Sequence, residues 1–245
     1  MGYTYVLSDI HGASKAFYKM LKGIKFNFEE DILIIDGDIV DRNKDSLKLF
    51  FEIVDMEKKY PGHVEIIKGN HELFMEMFLK GTLPRDRYSS FNYGGADTIR
   101  ELDELSRQEK DELVSYLEKL PLYKEVKSPI RGDVVINHTG FHYSNVIQNM
   151  DGSVNVIRSI NQGYEFDSFQ YFISSFIQRE APAMVINNLD KCLIVGHVPT
   201  MFISDSPTQG IWAKSEKLIL IDCGSGFDGG KLGCLRLEDE KLFYV

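Results

Sequence analysis

Asp31-Ile32-Leu33-Ile34-Ile35-Asp36-Gly37-Asp38-Ile39-Val40-Asp41-Arg42 sets the reading of this chain. A short aliphatic run ends in a polar cluster with a glycine. Residues 47–60 then carry the apolar spacing of a helix, stopped by Pro61-Gly62. The same unit occurs on either side. Upstream, Tyr5-Val6-Leu7 runs into Asp9-Ile10-His11-Gly12, and Phe17, Met20, Leu21 and Ile24 mark a helix over 14–24. Downstream, Val64-Glu65-Ile66-Ile67 runs into Gly69-Asn70-His71-Glu72, and a helix begins over 73–79. Three strand–cluster–helix units in succession imply parallel strands joined by right-handed crossovers, and all three clusters fall in the crevice beyond the strands' carboxyl ends.

Further along, 81–127 reads as a helical insertion with a solvated face, with helices over 97–105 and 106–120. The strand pattern returns in Asp133-Val134-Val135-Ile136-Asn137, which leads into His138-Thr139-Gly140. Residues 141–188 read as an irregular, cap-like region over the site, with one helix near 169–179. Lys191-Cys192-Leu193-Ile194-Val195 ends in Gly196-His197, Leu218-Ile219-Leu220-Ile221 ends in Asp222, and 233–245 reads as a terminal hairpin. No repeat, low-complexity segment or linker divides the chain, so one domain over 1–245 is expected.

The 245 residues carry a formal net charge of -9, which argues against general binding to nucleic acid backbones or anionic membranes. A small phosphate-bearing substrate stays open, because bound metal ions reverse the local field. There is no apolar run of membrane-spanning length and no basic-then-apolar leader, so a cytoplasmic protein is expected. Its three cysteines, without close-pair spacing, read as reduced thiols.

Four of the six histidines (His11, His71, His138 and His197) follow a strand by a few residues. With Asp9, Asp38, Asp41 and Asn70 they form the donor set of a site for Mn, Fe, Zn or similar ions, without a thiolate. A two-metal site needs a bridging carboxylate, and Asp38, central in the order of clusters, is the candidate.

Asp9-x-His11-Gly12, Gly37-Asp38-x-x-Asp41-Arg42, Gly69-Asn70-His71-Glu72, His138-x-Gly140 and Gly196-His197, in this order, resemble the calcineurin-like metallophosphoesterases. Within them the chain is similar to the phosphoprotein phosphatase branch, which holds bacterial and phage serine/threonine phosphatases and symmetrical diadenosine tetraphosphatases. Asn92-x-Gly94-Gly95-x-x-Thr98 and Ile221-Asp222-Cys223-Gly224 with Gly229-Gly230-Lys231-Leu232 extend the likeness, which is weakest over 141–188. The resemblance implies an α/β fold, a four-layer α/β/β/α sandwich of two mixed sheets flanked by helices. It implies two metal ions: Asp9 and His11 on one, Asn70, His138 and His197 on the other, and Asp38 between them. It also implies His71 as general acid oriented by Asp41, direct attack by a metal-bridging hydroxide, and Arg42 and Asn70 on the phosphate. A second phosphate-binding arginine is expected, with Arg179 the best match and Arg158 its competitor.

The expected activity is that of a serine/threonine protein phosphatase acting on phosphorylated protein or peptide. The alternative is a hydrolase of nucleotide polyphosphates of the diadenosine tetraphosphatase type. A catalytically inactive metal-binding scaffold is the third reading, which an intact His71, Asp41 and Arg42 argue against. Structural roles are expected for Asp36, Glu72 and Asp222, an exposed turn for Arg131, and packing for the 169–176 aromatics. Asn43 stands where the family often has glycine. Val198-Pro199 after His197 lacks the second histidine of the nuclease and cyclic-nucleotide branches, which points away from those activities.

Overall fold

The computed structural model describes residues 2–174 and 176–245. Strands β1 (Thr4–Leu7), β2 (Ile32–Asp36) and β3 (Val64–Ile67) run parallel, and β9 (Gly233–Arg236) and β10 (Leu242–Tyr244) add antiparallel to β1, giving the order β10-β9-β1-β2-β3. A second sheet holds β4 (Lys124–Ser128), β5 (Gly132–Ile136), β6 (Cys192–Val195), β7 (Trp212–Ser215) and β8 (Leu218–Leu220), in the order β4-β5-β6-β8-β7. Here β5, β6 and β8 are parallel and both edge strands antiparallel.

Period-two alternation decides what each sheet face meets. Val6, Ile34, Ile67, Val134, Ile136, Cys192, Ile194 and Ile219 point between the sheets and form one buried cluster. Their neighbours Tyr5, Leu7, Leu33 and Ile35 face helices on the outside of the first sheet, and Val135, Leu193, Val195, Leu218 and Leu220 face helices outside the second. Burying one such side chain stabilises by about 1.5–3 kcal/mol. An exposed ion pair such as Lys58–Asp55 is worth about 0–1 kcal/mol. The alternation therefore sets the register, and the result is the expected four-layer α/β sandwich.

Helices α1 (Ser14–Ile24), α2 (Ser46–Lys59), α3 (Asn70–Leu79), α4 (Arg85–Tyr88), α5 (Ala96–Glu104) and α6 (Arg107–Leu117) cover the first sheet. On α1 the buried residues are Phe17, Met20, Leu21 and Ile24, the face that the spacing predicts. Over the second sheet lie α7 (Val156–Phe166), α8 (Ser168–Ser174), α9 (Ile177–Glu180) and α10 (Ala183–Asn187). Among the described residues no helix is long and apolar enough to cross a membrane.

Several local expectations need correction. Residues 124–128, placed in a helical insertion, form the edge strand β4. Val126 is its one aliphatic residue, and lysines are common on sheet edges, so its pattern is faint. The second edge strand, β7, was not anticipated either. The cap-like region is largely helical rather than irregular: Val156 and Ile160 are buried at helical spacing on α7. The helix expected over 169–179 is two short helices, with residue 175 outside the described residues. Helix α3 starts at Asn70 instead of 73, because Glu72 braces its first turn: its carboxylate accepts from the backbone N–H groups of Gly69, Asp38 and Ile39. Arg131 is tethered, not exposed: its guanidinium pairs with Glu240 and donates to the Glu216 carbonyl at 3.0 Å.

Glu76 on α3 is buried and accepts from Lys68 Nζ at 2.5 Å and Lys80 Nζ at 2.6 Å. Burial alone pushes its carboxyl up, and the two ammonium groups outweigh that, holding it below 4.5. Removing it strands the buried Lys68 charge, so Glu76→Ala is expected to lose about 3 kcal/mol at pH 7 in urea unfolding. A depressed carboxyl contributes its stability above its unfolded value and loses it as pH falls through the folded one. The gap between variant and wild type should therefore shrink below pH 4.5; a gap constant with pH contradicts this account.

Candidate active site

Asp9, Asp38, His138, His197 and Asp222 each lie two residues beyond the last residue of a strand: β1, β2, β5, β6 and β8 respectively. Asn70 and His71 open α3, three and four residues past β3. The strands of both sheets thus deliver side chains to one crevice. Among the described residues nine non-glycine positions have positive φ, and six are in this crevice: Asp9 (53°), His11 (47°), Asp38 (54°), Asp41 (72°), Arg42 (66°) and His197 (69°). Each such conformation costs on the order of 1–3 kcal/mol. The surrounding packing imposes these turns, and they are what aim the side chains inward.

Asp38 is the hub. Its Oδ2 lies 3.2 Å from His138 Nε2 and 3.8 Å from both His11 Nε2 and His71 Nε2, while Oδ1 accepts from the His71 backbone N–H at 2.9 Å. Two groups of donor atoms, each compact enough to hold a metal ion, share it: His11–Asp38–His71 and Asp38–His138–His197. Asn70 Oδ1 joins the second group, 2.7 Å from His197 Nδ1 and 3.1 Å from His138 Nε2. Asp9 flanks both, with Oδ1 3.9 Å from His11 Nε2 and Oδ2 accepting from the His197 backbone N–H at 3.1 Å.

Backbone carbonyls orient two of the imidazoles. His11 Nδ1 donates to Val40 O at 3.0 Å and His138 Nδ1 to Asp36 O at 2.6 Å, which leaves each Nε2 lone pair facing Asp38. His71 is held differently. Its Nδ1 meets Asp41 Oδ2 at 2.7 Å, and Asp41 Oδ1 accepts from Tyr88 Oη at 2.8 Å and Thr98 Oγ1 at 2.5 Å. Asp41 is fully buried and its acceptors are filled, so the His71 ring is fixed with Nε2 toward the crevice.

The electrostatics ask for cations. Burial pushes Asp9 up, helped by repulsion from Asp38. Asp36 is pushed to about 8 by burial, then by Asp9 and Asp38, with only the Gly196 backbone N–H acting to lower it by hydrogen bonding. Asp222 is raised well above the usual carboxylate range by burial and by Asp9. Burial, then repulsion by His71, lowers His11; burial and His138 lower His197 to about 3, so both are neutral ligands at pH 7. Burial opposes a proton on His138, but Asp38 and Asp9 outweigh it and raise the group well above 6.5; the field that favours a proton there favours a metal ion equally. Four buried carboxyl groups, the neutral His11 and His197, and His138 with its Nε2 facing Asp38 fit divalent metal, whose charge would take the place of the protons held there.

A cavity of about 330 Å³ opens over this cluster, walled by Phe74, Tyr93, Ile173, Phe176, Pro199 and Phe227, with Arg42 and Arg179 on it. Arg158 lies exposed on α7, outside the lining. The 169–176 aromatics divide: Tyr171 and Phe172 are core, as expected, whereas Phe176 stacks on His197 (5.8 Å, 16° between planes) and faces the cavity. Three participants escaped sequence reasoning. Tyr88 gives no pattern, because it fixes Asp41 from a four-residue helix. Phe227 lies in a glycine-rich loop. Asp222, expected to be only structural, does hold a turn through Gly224 N–H at 2.8 Å, yet it also lines the cavity; its offset from β8 was the available signal.

Residues 3–219 match the family described as calcineurin-like phosphoesterase. The chain is 24% identical to a symmetrical bis(5'-nucleosyl)-tetraphosphatase of Buchnera aphidicola subsp. Baizongia pistaciae, over 98% of this chain and 96% of that one. It is 26% identical to the protein of the same name from Nitrosomonas europaea, over 99% and 97%. Among solved structures, a putative diadenosine tetraphosphatase superposes with a TM-score of 0.59 at 16% identity, covering 100% of this chain and 93% of that one. A protein serine/threonine phosphatase from Saccharomyces cerevisiae gives 0.61 at 13% identity, covering 100% and 79%. At such identities the two structures speak for the fold alone. The family match takes in every strand-end cluster from Asp9 to His197, and the chain accordingly belongs to the calcineurin-like phosphoesterases, metal-dependent hydrolases of phosphoric esters.

Proposed function

We propose that this protein hydrolyses nucleotide polyphosphates, in the manner that the name symmetrical bis(5'-nucleosyl)-tetraphosphatase describes. The observation carrying this reading is the cavity itself. Two arginines and a ring of aromatic side chains surround the Asp38 hub, a lining suited to a polyphosphate and a flat base together. The relatives that match over nearly their whole length support it. Sequence motifs alone favoured a phosphoprotein substrate; that reading stays second, supported by Phe91, 86% exposed beside the cavity residue Asn92.

In this scheme Asp9, His11, Asp38, Asn70, His138 and His197 would hold two ions of the Mn, Fe or Zn kind. Ions bound there would supply Lewis-acid stabilisation of phosphoryl oxygens and a water of lowered pKa. Arg42 and Arg179 bind the phosphoryl oxygens and orient the group for displacement. His71 delivers a proton from Nε2 to the leaving oxygen while its Nδ1–H stays on Asp41.

The test is hydrolysis with Mn²⁺ of diadenosine tetraphosphate, a phosphoserine peptide and p-nitrophenyl phosphate, with nucleotide products separated by chromatography. The expected result is the highest kcat/KM on the dinucleotide, with ADP as the product of symmetrical cleavage. A preference for the phosphopeptide hands the assignment to the second reading, and no metal-dependent turnover of any substrate removes both. Loss of a charge-assisted bond costs about 1.5–3 kcal/mol, so Arg179→Ala should raise KM about 10- to 100-fold, with Arg158→Ala within about twofold of wild type.

A further inference from the structure

The Arg42 guanidinium has no carboxylate partner among the described residues, and its Nε is buried without a hydrogen bond. Yet its side chain runs through a tight passage. On one side, a Cβ at Gly94 would lie 3.0 Å from Arg42 Cγ; on the other, a Cβ at Gly226 would lie 2.6 Å from Arg42 Cδ and 2.7 Å from His11 Cδ2. The Arg42 backbone is fixed as well, in a left-handed turn whose N–H donates to Gly94 O at 2.9 Å. At the end of the passage the guanidinium lies over the Phe227 ring, 4.5 Å from its centroid. Phe202 meets Phe227 edge-on, at 5.1 Å and 90°.

We propose that Phe227 is a positioning residue for the phosphate clamp: its ring face, backed by Phe202, holds the Arg42 guanidinium in a single place over the Asp38 hub. This rests on the reading of Arg42 as a phosphate ligand. The chemistry suits the task. A carboxylate in Phe227's place would hold the guanidinium more firmly but would neutralise it and compete with phosphate. A ring face attracts the cation through its quadrupole and leaves the N–H edges free for phosphoryl oxygens. The arrangement also joins the two sheets. Arg42 belongs to the loop after β2, whereas Phe202 and Phe227 belong to loops after β6 and β8. The clamp is thus set from the sheet opposite the one that carries it.

The experiment measures binding of inorganic phosphate to the Mn²⁺-loaded protein by calorimetry, with steady-state kinetics beside it, for F227L, F227Y, R42A and the double variant F227L/R42A. F227L is expected to weaken phosphate binding and raise KM about 5- to 20-fold, with kcat within about twofold and melting nearly unchanged. F227Y, which keeps a ring face, should recover most of the loss. In the R42A background F227L should add nothing to the loss of inorganic phosphate binding, since phosphate carries no base for the ring to stack on and the ring reaches it only through that arginine. Additive losses in the double variant overturn the proposal, as does wild-type phosphate binding by F227L when R42A is impaired. If R42A itself binds phosphate normally, the clamp reading fails first and this inference fails with it. Should F227L not fold, F202A, at a position 48% exposed, carries the same comparison: a smaller loss that vanishes in R42A supports the proposal, and a loss that persists there overturns it.

Discussion

His71→Asn lowers kcat by a factor of about 10²–10⁴ while KM changes little, the expected effect of deleting a positioned general acid. The replacement leaves Asp41 Oδ1 with the Tyr88 and Thr98 hydroxyls but removes the Oδ2 partner of a buried carboxylate, so the variant should also lose about 1–3 kcal/mol of stability and is assayed well below its melting temperature. The pH profile carries a second signature. Burial works against a proton on His71, but Asp38 and Asp41 outweigh it and raise the group above 6.5. An acid must hold its proton, so wild-type kcat falls as pH rises through the value at which His71 deprotonates in the metal-loaded protein, and this alkaline limb should be missing in the variant. Asp41→Asn, which removes one raising charge, should move the limb to lower pH. Steady-state rates across pH on a substrate with a poor leaving group check both points. An unchanged limb in His71→Asn excludes His71 as the proton donor.

Asp38→Asn is expected to be the most damaging change. Asp38 is the only residue in both donor groups, and its Oδ2 faces three imidazoles. Burial opposes its charge, and His138 and His71 overcome that and hold the carboxyl well below 3.8, so it is the anionic centre of the crevice at any working pH. An amide in its place supplies no charge to either ion. Lewis-acid stabilisation is worth several kcal/mol, so turnover should fall by about 10³-fold or more. Metal analysis after dialysis should find less than half of the wild-type content, since one lost ligand weakens both positions. A variant that keeps two ions and most of its activity rules out the shared-carboxylate arrangement.

The two predictions rest on residues that were legible in the sequence for a physical reason. Asp9, Asp38, His138 and His197 follow aliphatic runs at a constant offset, and a strand end is a position that local pattern defines well. The interior strands were readable because each carries several buried aliphatics in a row. Edge strands such as 124–128 carry one and vanish into a charged background. The helices of 156–187 were harder because most of them are short, and core residues such as Tyr171 and Phe172 stand directly beside Ile173 and Phe176, which face the cavity, so core and site patterns overlap. What stayed hidden were partnerships made across long separations. Tyr88 reaches Asp41 across 47 residues, and Phe227 meets Arg42 through a glycine-rich loop. No local pattern announces a partner that topology alone supplies.

The division of the site between the two sheets has a thermodynamic consequence. Asp9, His11, Asp38 and Asn70 come from the first sheet's strand ends, and His138 and His197 from the second's. Ions bound by both sets, as proposed, would act as rivets through the sandwich, since only the native arrangement presents both sets at once. Free metal at a hundred times its dissociation constant then adds about 2.7 kcal/mol to global stability by mass action, a large share of what a domain this size has to spare. Under metal limitation the protein would lose not only its chemistry but part of its resistance to unfolding, which makes its lifetime a readout of metal supply.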